Sequence, residues 1–105
     1  MDLNVRHVFN LTRLLTPKLS AAAKPFDPAR VINIASVDGV RAEQTAGPTA
    51  AFAYTVSKAA VIHLTNALCR ALSPHQITVN TISPGIFPSQ VRLEHAGRML
   101  VTKAV

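Results

Sequence analysis

RVINIAS at residues 30–36 and ITVNTISPG at residues 77–85 are the two segments of sequence that decide the fold. Each begins with a short apolar run, which is typical of a buried β-strand, and ends in polar or turn-forming residues. Between them, residues 50–72 carry apolar side chains three and four positions apart, which predicts an amphipathic helix. A strand, a helix and a strand in this order predict a right-handed crossover between two parallel strands.

A further helix is predicted over residues 3–22, and a loop follows it. The apolar face of this helix consists of Val5, Val8, Phe9, Thr12, Leu15 and Leu19. Pro17 is expected to bend or shorten the last turn, because proline has no backbone N–H to donate. Two prolines within residues 24–28 predict the loop. The nearly continuous apolar run at residues 31–35 is typical of a parallel sheet that is covered on both faces.

The helix predicted at residues 50–72 has two distinct faces. The face expected to pack on the sheet carries, together with Tyr54 and Lys58, the residues Val61, Ile62, Thr65, Leu68, Cys69 and Leu72. Cys69 is therefore expected to be a small core residue and not a nucleophile. The second face consists of Phe52, Val56, Ala59, Ala60, Ala67 and Ala71. Its small residues would allow another helix to approach closely.

Tyr54 and Lys58 form the candidate reactive pair of the chain. They lie four residues apart, so on a helix their Cβ atoms would be about 5–6 Å apart. A cation at that distance favours the ionised form of a phenol, which would make Tyr54 a usable general acid or base. The same spacing also occurs where a solvated lysine lies beside a half-buried ring and neither residue is reactive. The neighbouring segments must therefore decide between a reactive and a structural pair. Residues 38–48 predict a long loop at the carboxyl end of the first strand, where open α/β sheets bind ligands.

Four motifs in order resemble the short-chain dehydrogenase/reductase family, and in particular the C-terminal catalytic half of its members. The strand that ends in Ser36 resembles the strand before the family's catalytic serine, and Tyr54 with Lys58 resembles its catalytic Tyr-x-x-x-Lys motif. Asn4, in the segment LNVRHVF, resembles the catalytic asparagine. The turn at residues 84–85 resembles the one that borders the nicotinamide of the cofactor.

The resemblance implies a fold and an activity. The fold would be α/β, a partial Rossmann-like doubly wound parallel sheet with the element order helix, strand, helix, strand and with its first half missing. The activity would be hydride transfer between NAD(P)(H) and a ketone or secondary alcohol. Tyr54 would transfer the proton, Lys58 would assist it and bind the nicotinamide ribose, Ser36 would hydrogen-bond the substrate oxygen, and Asn4 would support a water-linked proton relay.

The resemblance also implies a cofactor site and a substrate class. Besides Tyr54 and Lys58, the residues beside the nicotinamide would be Pro84, Gly85, Ile86 and Ser89. The expected cofactor is NADP(H) and the expected substrate a small-molecule carbonyl or alcohol. The segment PGIFPS at residues 84–89 is similar to that of 3-oxoacyl reductases. By resemblance, the chain would form a homo-oligomer through the helices at residues 3–22 and 50–72.

A glycine-rich phosphate-binding turn is not found in this sequence. Such a turn holds the pyrophosphate of a dinucleotide with backbone N–H groups, and none of the four glycines lies in one. We therefore interpret residues 1–89 as a partial catalytic segment and leave residues 90–105 as an unassigned tail. The alternative hypothesis is a truncated, non-catalytic fragment that serves only as an association module.

The composition indicates a globular unit and predicts that it binds neither nucleic acid nor a membrane. With 49% hydrophobic residues the chain of 105 residues is too apolar for disorder, and its net charge of +6 comes from scattered basic residues. No apolar run approaches the roughly 20 residues that span a bilayer. A single cysteine and a start without a secretory signal predict a cytoplasmic protein. The four histidines have no metal-ligand spacing, so no metal site is predicted.

Overall fold

The computed structural model describes residues 2–42 and 51–85 of the chain. A single π-helical turn, Asp2–Arg6, leads into helix α1, and the remaining elements follow as strand β1, a short helix α2, a long helix α3, a 3-10 turn and strand β2. Their bounds are α1 His7–Ala22, β1 Ala29–Ile34, α2 Asp38–Arg41, α3 Phe52–Leu72, the 3-10 turn Ser73–His75 and β2 Ile77–Ile82.

The two strands form the parallel pair that the sequence predicts. They align in register from Ala29 opposite Ile77 to Ile34 opposite Ile82, with α3 as the connection between them. The 3-10 turn ends α3, and Gln76 adopts a left-handed conformation with φ of 57° just before β2 begins. The α/β class and the strand, helix, strand order are therefore confirmed.

The core lies on one face of this sheet. The side chains of Leu68 and Leu72 from α3 pack with Ile77 and Val79 from β2, and Leu19 of α1 packs against the same cluster. Along both strands, buried and exposed residues alternate. As a result, Ile32, Ile34 and Ile82 point to the opposite face and are 57%, 54% and 51% exposed. Among residues 2–42 and 51–85, no element covers this second face, so whether both faces are covered stays a prediction.

The structure corrects parts of two further expectations about local structure. Pro17 does not shorten α1, which continues to Ala22. Pro17 lies on the exposed side, where water can satisfy the carbonyl group that loses its partner. The segment after Ser36 begins not as a loop but as α2, which ends where Ala42 adopts a left-handed conformation with φ of 55°.

The sheet-facing stripe of α3 differs from the predicted one at Cys69 and at Tyr54, which is 44% exposed. Val61, Thr65, Leu68 and Leu72 are buried, as expected, whereas Cys69 is exposed. Cys69 is exposed because it lies about 100° around the helix axis from the buried Leu68. Cys69 is therefore not a core residue. A buried polar contact also joins α3 to β1, in which Asn33 Nδ2 donates to Thr65 Oγ1 at 2.9 Å and that hydroxyl donates to the Val61 carbonyl.

Candidate active site

The candidate site begins where the two strands end. The pairing of the strands extends beyond their last residues, since the Ala35 amide donates to the Ile82 carbonyl at 2.8 Å and the Val37 amide donates to the Pro84 carbonyl at 3.1 Å. These hydrogen bonds hold Ser36 and the turn at residues 84–85 at the same carboxyl edge. Ligands of open α/β sheets bind at this edge.

Ser36 is held in position by the start of α2. Its side chain is 6% exposed, and its Oγ accepts a hydrogen bond from the Asp38 amide at 3.2 Å. This contact uses a lone pair of the hydroxyl group and leaves its proton available for another acceptor. Ser36 is therefore able to donate a hydrogen bond at the edge of the sheet.

Gly39 allows α2 to lie directly on α3. A Cβ atom at this position would be 2.7 Å from the carbonyl carbon of Lys58 and 2.8 Å from the amide nitrogen of Ala59. Both of these are backbone atoms, which cannot rotate out of the way as a side chain can. Gly39 sets how closely the serine segment approaches the helix turn that carries Lys58.

Lys58 connects the end of β1 to the ring of Tyr54. Its Nζ donates to the Ile34 carbonyl at 3.0 Å and lies 5.7 Å from the centroid of the Tyr54 ring. That distance is within the range of a cation–π contact. The ring itself is 44% exposed, so a ligand at the edge of the sheet can reach it. The pair identified from its spacing thus forms a compact charged group beside the strand end.

Asn4 reaches the same helix turn from the π-helical segment before α1. Its Nδ2 donates to Ser57 Oγ at 2.8 Å, and the Ser57 hydroxyl donates to the Tyr54 carbonyl at 2.8 Å. Ser57 is 2% exposed. Sequence reasoning missed Ser57, because a serine next to Lys58 carries no signal of a partner that lies in another helix.

Two buried polar atoms near α2 and the start of α3 have no hydrogen-bond partner among the described residues. They are Asp38 Oδ1 and Thr55 Oγ1. Ile86 and Ser89, which the sequence adds to the cofactor site, lie outside the described residues. Across residues 2–42 and 51–85, no three His, Cys, Asp or Glu side chains are grouped so that they could hold a metal ion.

The donors of Lys58 are compatible with a nicotinamide cofactor. An ammonium group has three N–H donors, and one of them is used by the Ile34 carbonyl. Among the described residues, two donors therefore remain without an acceptor, which is the number that the neighbouring hydroxyl groups of one ribose can accept. The turn at residues 84–85 lies at the same carboxyl edge, where the Pro84 carbonyl accepts the Val37 amide.

These features define an α/β protein with a tyrosine–lysine pair at the carboxyl edge of a parallel sheet. The chain belongs to the short-chain dehydrogenase family, since the family model described as short chain dehydrogenase matches residues 1–97. Its fold is a partial Rossmann-like fold of that family. Among the described residues, no helix combines the length and the apolar character that a membrane crossing requires.

Similar proteins include several reductases. The rhamnolipids biosynthesis 3-oxoacyl-[acyl-carrier-protein] reductase of Pseudomonas aeruginosa is 45% identical over 93 residues, which cover 87% of this chain and 34% of that protein. Nodulation protein G of Azospirillum brasilense is 39% identical over 82 residues, covering 78% of this chain and 30% of that protein. The chain thus spans about a third of the length of these relatives.

Solved structures agree with this assignment. The Pseudomonas aeruginosa RhlG/NADP active-site complex superposes with a TM-score of 0.78 at 43% identity, covering 90% of this chain and 37% of that one. The 3-ketoacyl-(acyl-carrier-protein) reductase of Brucella melitensis, complexed with NADH, superposes with a TM-score of 0.65 at 30% identity, covering 78% of this chain and 32% of that one.

Proposed function

We propose that this chain carries the Asn4, Ser36, Tyr54 and Lys58 site of an NAD(P)(H)-dependent oxidoreductase that interconverts a ketone and a secondary alcohol. The observation that carries the proposal is the position of the Lys58 ammonium. It is 3.0 Å from the last carbonyl of β1 and 5.7 Å from the centre of the Tyr54 ring. The Tyr54 ring and the Lys58 ammonium therefore lie close together at the edge where open α/β sheets bind ligands.

In the direction of reduction, each residue has a separate task. The reduced cofactor supplies the hydride that the carbonyl carbon receives. Tyr54 gives its phenolic proton to the carbonyl oxygen, and the nearby ammonium of Lys58 stabilises the phenolate that remains. Ser36 donates a hydrogen bond to the same oxygen through the proton that its contact with Asp38 leaves available. Asn4 supports the return of a proton to Tyr54 through water.

The cofactor and the substrate class are inferred from the site together with the similar proteins. Lys58 would bind the ribose with its two remaining donors, and Pro84, Gly85, Ile86 and Ser89 would lie beside the nicotinamide. We infer that the cofactor is NADP(H), because the similar RhlG structure is described as a complex with NADP. We infer a 3-oxoacyl substrate, because the similar Pseudomonas protein is named a 3-oxoacyl-[acyl-carrier-protein] reductase. We also infer that the site for the dinucleotide phosphates is supplied by polypeptide outside these 105 residues, and that the protein acts in the cytoplasm.

Lys58→Met tests the role of the ammonium group. The assay uses a grafted reductase, in which this chain replaces the aligned segment of the Pseudomonas enzyme, with NADPH and a 3-oxoacyl thioester. Removal of the charge is expected to lower kcat by about 10²–10³-fold, the usual cost of losing a preorganised electrostatic partner. Lys18→Met, at an exposed position of α1, is the matched control and should retain full activity. Absence of turnover in the unsubstituted graft would contradict the proposal.

A second candidate function is association alone, and a surface feature favours it. Phe52 and Val56 on α3 are 62% and 52% exposed, and Leu11 and Leu14 on α1 are 61% and 65% exposed. Large apolar side chains clustered on exposed helices are typical of association surfaces. A non-catalytic chain would use them to bind other subunits, whereas an enzyme of this family would use them to form a homo-oligomer.

Sedimentation can show whether α3 is such a surface. The 105-residue chain is expected to associate at micromolar concentration, and Phe52→Glu should shift it to monomer, since a charge would be buried without a partner. Phe26→Glu is the matched control, because Phe26 is also exposed but lies in the turn before β1. Equal effects of the two substitutions would contradict an interface on α3. If the chain associates but the grafted reductase shows no turnover, the result would favour the non-catalytic association module.

A further inference from the structure

We propose that Ser57 is a positioning residue, which fixes the start of α3 and thereby the place of Tyr54, and that Asn4 acts on Tyr54 through Ser57. The catalytic part of this inference rests on the proposed role of Tyr54 in proton transfer. The structural part stands on the contacts of Ser57 alone.

The first step concerns the hydrogen bonds of Ser57. Its hydroxyl group accepts from Asn4 Nδ2 at 2.8 Å and donates to the Tyr54 carbonyl at 2.8 Å. At 2% exposure, water cannot replace either partner. The loss of one partner would leave a buried polar group unpaired, which is much more costly than the loss of an exposed hydrogen bond.

The second step concerns the acceptor. In an α-helix, the carbonyl of residue 54 also accepts the amide of residue 58, so the Ser57 hydroxyl binds the peptide group that links the turns of Tyr54 and Lys58. A serine that bonds back to its own helix tilts this carbonyl and defines the local direction of the backbone. The direction of the Tyr54 Cα–Cβ bond depends on that backbone.

The third step concerns the stability of the turn. Helix α3 begins at Phe52, and its N-cap residue Ala51 makes no side-chain hydrogen bond to the helix. The first amide groups of a helix have no partner within the helix, and a first turn without a side-chain cap at its N-cap residue tends to fray. Tyr54 lies within this turn. The contact between Asn4 and Ser57 ties the turn to the segment before α1, which is 53 positions away in the chain.

The fourth step concerns Asn4. An asparagine side chain has two N–H donors and a carbonyl oxygen. The contact with Ser57 uses the nitrogen. No described residue donates a hydrogen bond to the oxygen, which can therefore serve the water-linked relay. Asn4 thus has two separable tasks, and only the one that runs through Ser57 concerns the position of Tyr54.

The test uses the fluorescence of Tyr54 in the intact 105-residue chain, which contains one tyrosine and no tryptophan. Ser57→Ala and Asn4→Ala are each expected to raise quenching of this fluorescence by acrylamide. Tyr54 is 44% exposed, so full release of the first turn would raise quenching by about twofold. The double variant should show no more quenching than either single variant, because both remove the same connection.

Thr65→Val is the matched control. Thr65 is a buried hydroxyl of the same helix that likewise accepts from an asparagine, Asn33, and donates to a carbonyl of its own helix. It should lower stability as Ser57→Ala does and leave the quenching unchanged. Additive effects of Asn4→Ala and Ser57→Ala, or unchanged quenching in both, would overturn the inference. Since the measurement needs no turnover, its result is independent of the grafted reductase.

Discussion

Tyr54→Phe is expected to lower kcat/KM for ketone reduction by about 10²–10⁴-fold, the usual contribution of a positioned general acid. The substitution removes only the phenolic oxygen. The phenylalanine ring keeps its place 5.7 Å from the Lys58 ammonium, so the contact between the ring and the cation persists. The hydrogen bond from Lys58 to the Ile34 carbonyl also persists. The loss should therefore appear in the chemical step, with binding of NADPH unchanged.

The measurement is steady-state turnover of the grafted reductase, together with a titration of NADPH fluorescence. Phe52→Tyr in the Tyr54→Phe background is the control, since it restores a phenol on the same helix about 200° around its axis. The position of the proton donor is decisive in this mechanism, so the control should not recover activity. Recovery, or a Tyr54→Phe variant with normal turnover, would rule out Tyr54 as the proton donor.

Gly39→Ala is expected to lower the free energy of unfolding by about 1–3 kcal/mol, the usual cost of forcing an extra group into a packed contact. The added Cβ would be 2.7 Å from the carbonyl carbon of Lys58, 3.0 Å from its oxygen and 2.8 Å from the Ala59 nitrogen. Relief of these contacts requires α2 to move away from α3. Ser36 lies just before α2, so the same movement would separate it from the turn that carries Lys58.

Urea unfolding of the chain, followed by circular dichroism, measures this effect. Gly85→Ala is the matched control, because a Cβ there would meet only Val37 Cγ1 at 3.8 Å, an ordinary contact distance. The midpoint should fall clearly for Gly39→Ala and remain close to the original value for Gly85→Ala. Equal midpoints for Gly39→Ala and Gly85→Ala would mean that the close approach of α2 to α3 at Gly39 does not contribute to stability.

Much of the fold could be predicted from local patterns. Strand β2, Ile77–Ile82, agrees with the sequence analysis because β-branched residues fill all of its positions except Asn80, between a 3-10 turn and Pro84. Helix α3 could be recognised from its periodicity and from Ser73 and Pro74 at its end. Cys69 shows the limit of such patterns, because a stripe drawn one residue too wide includes a side chain that the fold leaves exposed.

The candidate site could be predicted only in part, because local patterns report contacts within one helix and not contacts between distant residues. The closeness of Tyr54 and Lys58 is a property of one helix, so the spacing of the two residues was enough to predict it. The Ser57 contact with Asn4 joins residues 53 positions apart, and no local pattern reports it. The role of Gly39 likewise depends on the backbone of another helix.

The sequence by itself determined the elements of this protein, their order and the side chains that can carry chemistry, because helix and strand periodicity and turn residues act over a few neighbouring positions. Only the tertiary structure decided which surfaces meet. It put α1 and α3 on one face of the sheet and left Ile32, Ile34 and Ile82 exposed on the other. It also brought α2 onto the turn of Lys58 and Asn4 onto Ser57, since distant contacts depend on how whole elements pack.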